Sequence, residues 1–464
     1  MEFRITTTYK KLLADTVTPV SIYLKLRDHF PNSILLESAD QNEPENSSSF
    51  ICIKPFAGLK LESETLFLAF PDGSSERKPV SDGLSVSGEI DAFMRQFRIT
   101  DPEKGVSGLF GYITYDAVRH FEDIRINAPV AENKRIPDLK YDLYQYVIAI
   151  DHFRDVLVIY ENSFNEPEGT AAIEALISKK NFASYRFSSA GNEESNYSDE
   201  EFAGLISSGK KHCKRGDVFQ VVLSREFSKA FTGDEFNVYR ALRSINPSPY
   251  LFYFDLGNFK LFGSSPEAQL VVRNGKCFIH PIAGTFRRTG NDEADQAIAE
   301  KLRSDPKENA EHVMLVDLAR NDLGKNCTDV ELESFREVKF YSHVVHLVSN
   351  VSGKVKEDRT IVRLIGDTFP AGTLSGAPKY RAMQLIDKYE NKSRSFYGGC
   401  IGFMGFDGTF NSAIMIRSFL SKNNRLFYQA GAGVVESSDE ISELNEVNNK
   451  LAALKTAIKM AEEI

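Results

Sequence analysis

Short strand-like runs restrict the folds open to this chain more than any other feature. They alternate irregularly with helix-like segments, and they read YQYVIAI, FQVVLSR, YLFYFDL, AQLVVR, NSAIMIRSFL and LFYQAGAGVV. A doubly wound parallel sheet would require strands and helices in regular alternation. The pattern therefore predicts a mixed α+β fold.

Composition and charge exclude several classes of protein. The chain has 464 residues, 42% hydrophobic and 26% charged, which is typical of a globular protein. Its net charge of −9 argues against nucleic acid as a partner. The amino-terminal segment lacks a signal-peptide pattern, and no apolar run is long enough to span a bilayer. Five scattered cysteines without a CxxC pair indicate a reducing compartment. We expect a cytoplasmic protein without a membrane partner.

The clearest boundary in the sequence is a small, polar and acidic stretch at 188–201. Within it, Ser198 and Glu201 have the spacing of a capping box, which predicts that a helix begins there. We therefore expect a smaller amino-terminal region, 1–190, and a larger region, 191–464.

The stretch GDVFQVVLSRE at 216–226 is predicted to be a strand because its apolar residues fall on both faces of an extended segment. Gln220 lies in the middle of one of these apolar faces. A buried amide must be hydrogen-bonded, or it costs free energy. Gln220 is therefore either a satisfied core amide or a group that faces a ligand.

A long helix is predicted within 304–327, where Asp305 can cap it and Pro306 suits its first position. So many of its residues are apolar that we expect the helix to be mostly buried. Glu311 shares a face with apolar residues, so its carboxylate must be paired or must bind a cation. An ion pair with Arg320 or with a lysine elsewhere is the alternative to a metal site.

A second helix, from about 440 to 463, is predicted near the end of the chain. Glu443, Glu446 and Lys450 lie on one of its faces, and Glu446 and Lys450 have the i,i+4 spacing of a favourable ion pair. A solvated salt bridge would account for that pair. The alternative is that Glu446 and Glu311 share a Mg²⁺ ion, since two carboxylates, waters and an anionic substrate form a usual magnesium shell.

Glycine-rich turns at 280–290, 369–383 and 429–435 can present backbone N–H groups to an anion. Arg417 lies in a segment predicted to be a strand, where an unpaired guanidinium group would be costly. An anionic ligand would satisfy that group with two hydrogen bonds. These features together indicate a small anionic ligand.

As a set, these stretches resemble the chorismate-utilising enzymes, most closely the large subunits of anthranilate synthase. The resembling segments run from about residue 216 to 450 and are GDVFQVVLSR, NPSPYLFYF, GSSPEAQL, PIAGT, AEHVMLVDLARNDLG, HVVHLVSNVSG, FPAGTLSGAPKYRAM, YGGCIGF, IRS, QAGAGVV and a final E-x-x-x-K. LLESAD at 35–40 adds to the likeness. The resemblance implies a large α+β core of two packed, mainly antiparallel β-sheets with outer helices.

The resemblance also implies roles for individual residues. Glu311 and Glu446 would hold Mg²⁺ against the ring carboxylate of chorismate. Glu267 would act as the acid/base near the C4 hydroxyl, and His346 would assist the loss of pyruvate. The implied catalytic set is Glu267, His346, Gln220 and Thr373. The implied substrate-binding set is Gly284, Thr285, Tyr397, Arg417, Gly431, Ala432, Gly433 and Lys450, with Tyr397 and Arg417 on the enolpyruvyl carboxylate.

Two positions discriminate between reactions within the family. Members that add water carry a lysine base at the position of Gln220, and a neutral amide cannot take that proton, whereas ammonia is already a nucleophile. Aminodeoxychorismate synthases often carry a lysine nucleophile at the position of Ala283, and alanine cannot form that bond. The resemblance thus implies ammonia addition at C2, loss of the C4 hydroxyl, and elimination of pyruvate to give anthranilate.

The resemblance further implies partners and an inhibitor. Tryptophan would bind at Ser38, Pro249, Tyr250 and Leu251. The chain contains no convincing glutaminase domain, so ammonia would come from a glutamine amidotransferase subunit in a hetero-oligomer. Three alternatives stay open: component I of aminodeoxychorismate synthase; a water-adding isochorismate or salicylate synthase, which Gln220 disfavours; and a non-catalytic tryptophan-sensing protein.

Overall fold

The computed structural model describes residues 2–38, 47–80, 84–100, 105–340 and 344–464. The helices in these ranges are α1 (Pro19–Leu26), α2 (Val86–Met94), α3 (Ala171–Ile177), α4 (Asp199–Lys214), α5 (Phe236–Ile245), α6 (Asp292–Ser304), α7 (Pro306–Gly324), α8 (Ile361–Thr368), α9 (Lys379–Tyr389) and α10 (Glu440–Ala461). None of these helices in the described ranges has the length and apolarity needed to cross a membrane.

The strands are β1 (Phe3–Leu13), β2 (Ile34–Glu37), β3 (Ser48–Glu62), β4 (Thr65–Ala69), β5 (Ser75–Pro79), β6 (Phe97–Ile99), β7 (Gly108–Ile113), β8 (Leu139–Asp151), β9 (Val156–Ser163), β10 (Phe187–Ser195), β11 (Gln220–Gly233) and β12 (Tyr250–Asp255). They continue with β13 (Phe259–Ser265), β14 (Ala268–Arg273), β15 (Lys276–Ile279), β16 (Ile282–Arg287), β17 (Cys327–Phe340), β18 (Val344–Val355), β19 (Gly376–Ala377), β20 (Cys400–Gly405), β21 (Phe410–Ile414), β22 (Ser418–Lys422) and β23 (Arg425–Val434).

Strands β3 and β8 pair along most of their length and join two antiparallel arms. The first arm runs from β3 through β2, β12, β13, β22, β23 and β11 to β10. The second arm runs from β8 through β7, β20, β21, β14 and β15 to β18, which also pairs with β16 and β17. The predicted α+β fold with a mainly antiparallel sheet is therefore confirmed.

Three hydrophobic clusters explain why the arms pack as they do. One consists of strand residues from both arms, including Phe252 and Leu261 of the first and Phe110 and Ile401 of the second, so the two arms pack face to face. Helices α1, α4, α5 and α10 cover the outside of the first arm. Helices α2, α7 and α8 cover the second arm. A buried aromatic or aliphatic side chain of this kind contributes about 1.5–3 kcal/mol relative to exposure.

Strands from before and after residue 190 are neighbours in the sheet. Strand β2 pairs with β12, and β7 pairs with β20. The division into 1–190 and 191–464 stays a prediction, and hydrogen bonds of the sheet cross it in both arms.

The predicted helix starts and stops are confirmed where local capping determines them. Helix α4 begins after Ser198, whose hydroxyl accepts from the Glu201 N–H at 3.2 Å while the Glu201 carboxylate accepts from the Ser198 N–H at 2.7 Å. Helix α7 begins at Pro306, and the Asp305 carboxylate accepts from the Glu308 N–H at 3.1 Å. Helix α10 covers the predicted range to within two residues at its carboxyl end.

Two details of the sequence prediction are wrong. Helix α7 is not mostly buried, because Val313 is 43% exposed and only one side of the helix packs on the second arm. The strand predicted over 216–226 begins only at Gln220, and Phe219 before it is 74% exposed. Both errors have one cause: a run of apolar residues does not by itself indicate which side has a packing partner.

Candidate active site

Two connections carry the chain from one arm to the other at the same place. Glu267 lies between β13 of the first arm and β14 of the second. Arg417 lies between β21 of the second arm and β22 of the first. The Ile414 N–H donates to the Glu267 carbonyl at 3.0 Å, and the Ser264 N–H donates to the Arg417 carbonyl at 3.1 Å. These bonds hold the two crossovers together, so the acidic and the basic side chain belong to one site.

Arg417 is not within a strand, contrary to the sequence prediction. It sits at a bend with a φ of 49°, in the left-handed region that non-glycine residues seldom adopt. The bend is what takes the chain from β21 into β22. The guanidinium Nη1 lies 3.5 Å from Asn246 Oδ1, and burial lowers the pKa of Arg417 from its ordinary value. A partly buried cation of this kind suits an anionic ligand.

The Glu267 carboxyl group is set up to carry a proton near neutral pH. Loss of solvation on burial raises its pKa to about 7, against the opposing effects of the Thr373 hydrogen bond, Lys450 and Arg417. The Thr373 hydroxyl donates to Glu267 Oε1 at 2.9 Å and fixes the orientation of the carboxyl group. A carboxyl group with this pKa can act as a general acid or base at neutral pH.

His346 is buried and neutral. It lies on β18, and its Nδ1 is 2.7 Å from the Gly284 carbonyl oxygen. A carbonyl can only accept, so Nδ1 carries the proton and Nε2 is the basic nitrogen. Burial lowers the pKa of His346 to about 4, with the Gly284 bond opposing and Arg417 adding to the effect. The charge of Arg417 acts on the pKa of both His346 and Glu267.

Gly284 lies in a bulge of β16 and has to be glycine. Its φ is 65°, and a Cβ there would lie 2.5 Å from Leu302 Cδ1 and 3.0 Å from Glu308 Oε2. The bulge turns its carbonyl toward His346. Thr285 follows within the same strand, and its side chain lies outside the described part of the structure.

Gln220 is buried, and its Nε2 donates to Glu311 Oε1 at 3.0 Å. The predicted partner of Glu311, Arg320, instead pairs with Asp317 at the surface. The sequence predicts that Gln220 is either a satisfied core amide or a group that faces a ligand. The structure is compatible with both, because the amide is hydrogen-bonded and its partner is the carboxylate predicted to bind a metal. Gly433 makes room for it, since a Cβ at 433 would lie 2.4 Å from Gln220 Nε2.

Gly433→Ala is expected to lower turnover about tenfold without unfolding the protein, because the added methyl group must push the Gln220 amide off Glu311. Gln220 can rotate away, so we expect stability to fall by no more than about 1–3 kcal/mol. Steady-state kinetics at varied Mg²⁺ would measure the effect. Gly204→Ala is the control, since a Cβ at Gly204 meets nothing within 4 Å. If Gly433→Ala lowers turnover by the same factor in a Gln220→Ala variant as in the wild type, this explanation is contradicted.

Strand β23 and helix α10 complete the site. The Lys450 ammonium donates to the Gly431 carbonyl at 2.8 Å and pairs with Glu446 at 2.7 Å, which confirms the predicted ion pair. The Tyr397 hydroxyl lies close to Gly431, since a Cβ there would be 3.1 Å from it. Ala432 lies between the two glycines and points the other way, into the core of the first arm. On the side of Gly431 and Gly433, Ala432 can therefore contact a ligand only through its backbone.

The two predicted magnesium ligands are each linked to a glycine of β23. Glu311 accepts from Gln220, whose amide lies against Gly433, and Glu446 pairs with Lys450, which donates to the Gly431 carbonyl. These two glycines are two positions apart, so their Cα atoms lie about 7 Å apart. Carboxylate oxygens are the donors that Mg²⁺ prefers, so the residues present fit that ion.

One further acidic cluster lies away from this site. Glu64, His120 and Asp138 form the only group of three or more potential ligand side chains within 4.8 Å of one another among the described residues. The Arg119 guanidinium already donates to Glu64 at 3.0 Å and to Asp138 at 2.6 Å. Arg119 therefore neutralises these carboxylates, and the cluster is a salt-bridge network.

The four residues predicted to bind an inhibitor lie at one end of the β2–β12 ladder. Leu251 pairs with Glu37, the residue before Ser38, and Tyr250 and Pro249 follow toward that end. Leu251 is buried in the first-arm core. Ala39 and Asp40, the last residues of the predicted motif, lie outside the described residues. Asn246 begins the quoted NPSPYLFYF segment, but no pattern in that segment indicates that it is a partner of Arg417.

The fold is that of enzymes that bind chorismate. The sequence profile described as "chorismate binding enzyme" matches residues 32–456. The chain therefore belongs to the chorismate-binding enzyme family. It is 36% identical to the anthranilate synthase component 1 of Aquifex aeolicus, over 98% of this chain and 95% of that protein. It is 37% identical to the component of the same name from Neisseria meningitidis serogroup B, with the same coverage.

Solved structures agree with the sequence comparison. The anthranilate synthase component I from Streptococcus pneumoniae superposes with a TM-score of 0.75 at 30% identity, covering 96% of this chain and 99% of that one. The menaquinone-specific isochorismate synthase from Escherichia coli superposes with a TM-score of 0.74 at 19% identity, covering 98% and 94%. The second match shows that the fold is shared with enzymes that carry out different chemistry.

Proposed function

We propose that the chain is the chorismate-converting component of an anthranilate synthase, a lyase of tryptophan biosynthesis that forms anthranilate and pyruvate from chorismate and ammonia. The observation that carries the proposal is the pair of buried, oriented side chains in this site: the Glu267 carboxyl group accepts from the Thr373 hydroxyl at 2.9 Å, and His346 Nδ1 lies 2.7 Å from the Gly284 carbonyl oxygen. Burial raises the pKa of Glu267 to about 7 and lowers that of His346 to about 4. Two groups in one site with pKa values driven apart suit an acid and a base.

In the first step the ammonia nitrogen bonds to C2, and the bond from C4 to its hydroxyl breaks. Protonated Glu267 gives its proton to the departing oxygen, which leaves as water, and Thr373 keeps the carboxyl group aimed. The Arg417 guanidinium and the Tyr397 hydroxyl would bind the enolpyruvyl carboxylate. Mg²⁺ held by Glu311 and Glu446 would neutralise the ring carboxylate when it is bound.

In the second step the C2 proton leaves, and the bond from the ring to the enolpyruvyl oxygen breaks to release pyruvate. His346 suits the removal of that proton, because its Nε2 is unprotonated while Nδ1 is held by Gly284. Loss of the proton and of pyruvate makes the ring aromatic, which gives anthranilate.

Two residues favour this reaction over those of related enzymes. Gln220 is a neutral amide bound to Glu311, so it supplies no base to activate water. Ala283 is buried on β16 and offers no nucleophile for a covalent step at that position. Aminodeoxychorismate synthase component I is the second candidate, since some of its members also lack that lysine.

Partners follow from the same proposal. Ammonia would be delivered by a glutamine amidotransferase subunit in a hetero-oligomer, and tryptophan would bind as inhibitor near Ser38, Pro249, Tyr250 and Leu251. A cytoplasmic location stays a prediction from the cysteine pattern. A tryptophan-binding protein without catalysis is disfavoured, since it would have no use for the shifted pKa values of Glu267 and His346.

The proposal is tested by mixing the purified chain with chorismate, Mg²⁺ and ammonium and following anthranilate by chromatography. We expect anthranilate with ammonium, none with glutamine alone, and recovery with glutamine once an amidotransferase subunit is added. Aminodeoxychorismate as the product would favour the second candidate. Tryptophan binding without any turnover of chorismate would contradict an enzyme and support the sensor.

A further inference from the structure

Arg394 is the largest side chain that is fully buried in the described structure. It follows α9, and its guanidinium pairs with Glu390 through Nε at 2.9 Å and Nη2 at 2.6 Å. Glu390 is itself held by the N–H and hydroxyl of Ser224, at 2.9 and 2.8 Å. The ion pair is therefore charge-balanced and hydrogen-bonded inside the protein.

The remaining donors of Arg394 reach two segments that line the site. Nη1 donates to the Leu374 carbonyl at 2.5 Å, and Nη2 donates to the Val222 carbonyl at 2.7 Å. Leu374 follows Thr373, the residue that orients Glu267. Val222 lies two positions after Gln220 on β11, and its N–H donates to the Ser375 carbonyl at 2.9 Å. One planar group thus joins the turn at 372–375 to β11.

The faces of the same guanidinium contact two aromatic rings. Its carbon lies 4.7 Å from the ring centroid of Tyr115 and 5.7 Å from that of Tyr397. Tyr397 is the proposed ligand of the enolpyruvyl carboxylate. Arg394 therefore contacts three segments that carry proposed site residues, those of Gln220, Thr373 and Tyr397.

We propose that Arg394 is a positioning residue, which keeps Thr373, Gln220 and Tyr397 in their reactive arrangement without contacting the substrate. The proposal rests on the proposed function. Lysine cannot replace it, because an ammonium group has neither the planar fork for two carbonyls and a carboxylate nor the flat faces for two rings. A misplacement of about 1 Å in such a site is enough to cost about 100-fold in rate.

A purely structural ion pair is the competing explanation, since breaking any buried pair destabilises a protein. Arg27 provides the matched control. It is an arginine that donates to both oxygens of Asp234, at 3.1 and 2.5 Å, and packs over the Phe236 ring at 5.1 Å, outside the proposed site. Arg27→Lys loses the same kind of fork and ring contact.

The test compares Arg394→Lys with Arg27→Lys for unfolding midpoint and for kcat of chorismate consumption, each with and without Thr373→Val. We expect Arg394→Lys to lower kcat about 10- to 100-fold beyond Arg27→Lys at a comparable loss of stability. We also expect Arg394→Lys to cost much less in the Thr373→Val background, because part of its effect passes through Thr373. For Arg27→Lys combined with Thr373→Val, the fold loss of kcat should be the product of the two single losses, because the residues act independently.

Two results would overturn the positioning role and leave the proposed function intact. One is an equal kcat for Arg394→Lys and Arg27→Lys. The other is a double variant of Arg394→Lys and Thr373→Val whose loss of kcat is the product of the two single losses. If Arg394→Lys does not fold, Ser224→Ala gives the answer, since it loosens Glu390 while leaving Arg394 in place; an unchanged kcat would overturn the proposal. An inactive wild-type chain would contradict the proposed function and, with no reaction to position, this proposal as well.

Discussion

Glu267→Gln is expected to lower kcat about 10²- to 10⁴-fold with little change in substrate affinity, which is the usual contribution of a positioned acid. Glutamine fills the same space and still accepts the Thr373 hydrogen bond, but it has no proton of suitable acidity to give. The unfolding midpoint should not fall, because a group whose ionised form is disfavoured by burial is replaced by a neutral one.

The same residue should determine the alkaline side of the pH profile. The protonated carboxyl is the active form and its pKa is about 7, so kcat should be highest below pH 7 and fall as pH rises through it. Arg417 and Lys450 are the charged groups that act on Glu267. Thr373→Val removes a hydrogen bond that lowers this pKa, so it should move the fall to higher pH.

The pH profile is to be measured at a constant concentration of free ammonia. Otherwise the ionisation of ammonium would change kcat with pH and could be mistaken for the ionisation of Glu267. Asp142→Asn is the control, because Asp142 is a buried carboxyl with a raised pKa, paired with Lys140 away from the site. It should leave the alkaline fall in place. The same fall in Glu267→Gln would show that another group is responsible.

Removal of either proposed magnesium ligand, by Glu311→Gln or Glu446→Gln, is expected to reduce turnover about 10²- to 10³-fold at saturating chorismate. A bound metal ion that neutralises substrate charge contributes several kcal/mol to such a reaction. Calorimetric titration should show Mg²⁺ binding weakened at least tenfold in both variants. Chelation of Mg²⁺ from the wild-type chain should give the same loss of activity.

Glu440→Gln is the matched control for these variants. Glu440 lies on the same helix as Glu446 and forms an ion pair with Lys210 at 3.0 Å. Its replacement should leave Mg²⁺ affinity unchanged. Full activity and normal Mg²⁺ binding in Glu446→Gln would remove Glu446 from the metal site and leave its pair with Lys450 as an ordinary salt bridge.

Helix ends could be predicted from the sequence because capping is local. Ser198 and Glu201 satisfy each other's backbone across three residues, and Asp305 caps the helix that Pro306 begins. Such interactions do not depend on the rest of the fold. The starts of α4 and α7 are accordingly predictable from short segments.

Arg417 shows where local patterns fail. The run NSAIMIRSFL has the composition of one continuous strand, yet the chain bends at Arg417 because β21 belongs to one arm and β22 to the other. Which arm a strand joins depends on its pairing partners elsewhere in the chain. The exposed side of α7 at Val313 has the same origin, since the sequence does not say which side meets the sheet.

The sequence predicts only part of the candidate site. Residue types and family likeness indicate Glu267, His346, Glu311 and Glu446 as candidates, but not how they are held. The bond from Gln220 to Glu311 joins residues 91 positions apart, and the role of Arg394 depends on carbonyl groups of two distant segments. Contacts of this range come from the packed fold and leave no local pattern in the sequence.

The most direct test of the reaction is to supply ¹⁵N-labelled ammonium with chorismate and Mg²⁺ and to identify the labelled product by mass spectrometry and NMR. We expect anthranilate with ¹⁵N on the carbon next to the carboxyl-bearing one, together with an equal amount of pyruvate. ¹⁵N at C4 in aminodeoxychorismate would contradict the reading of Ala283, and unlabelled isochorismate or salicylate would contradict that of Gln220.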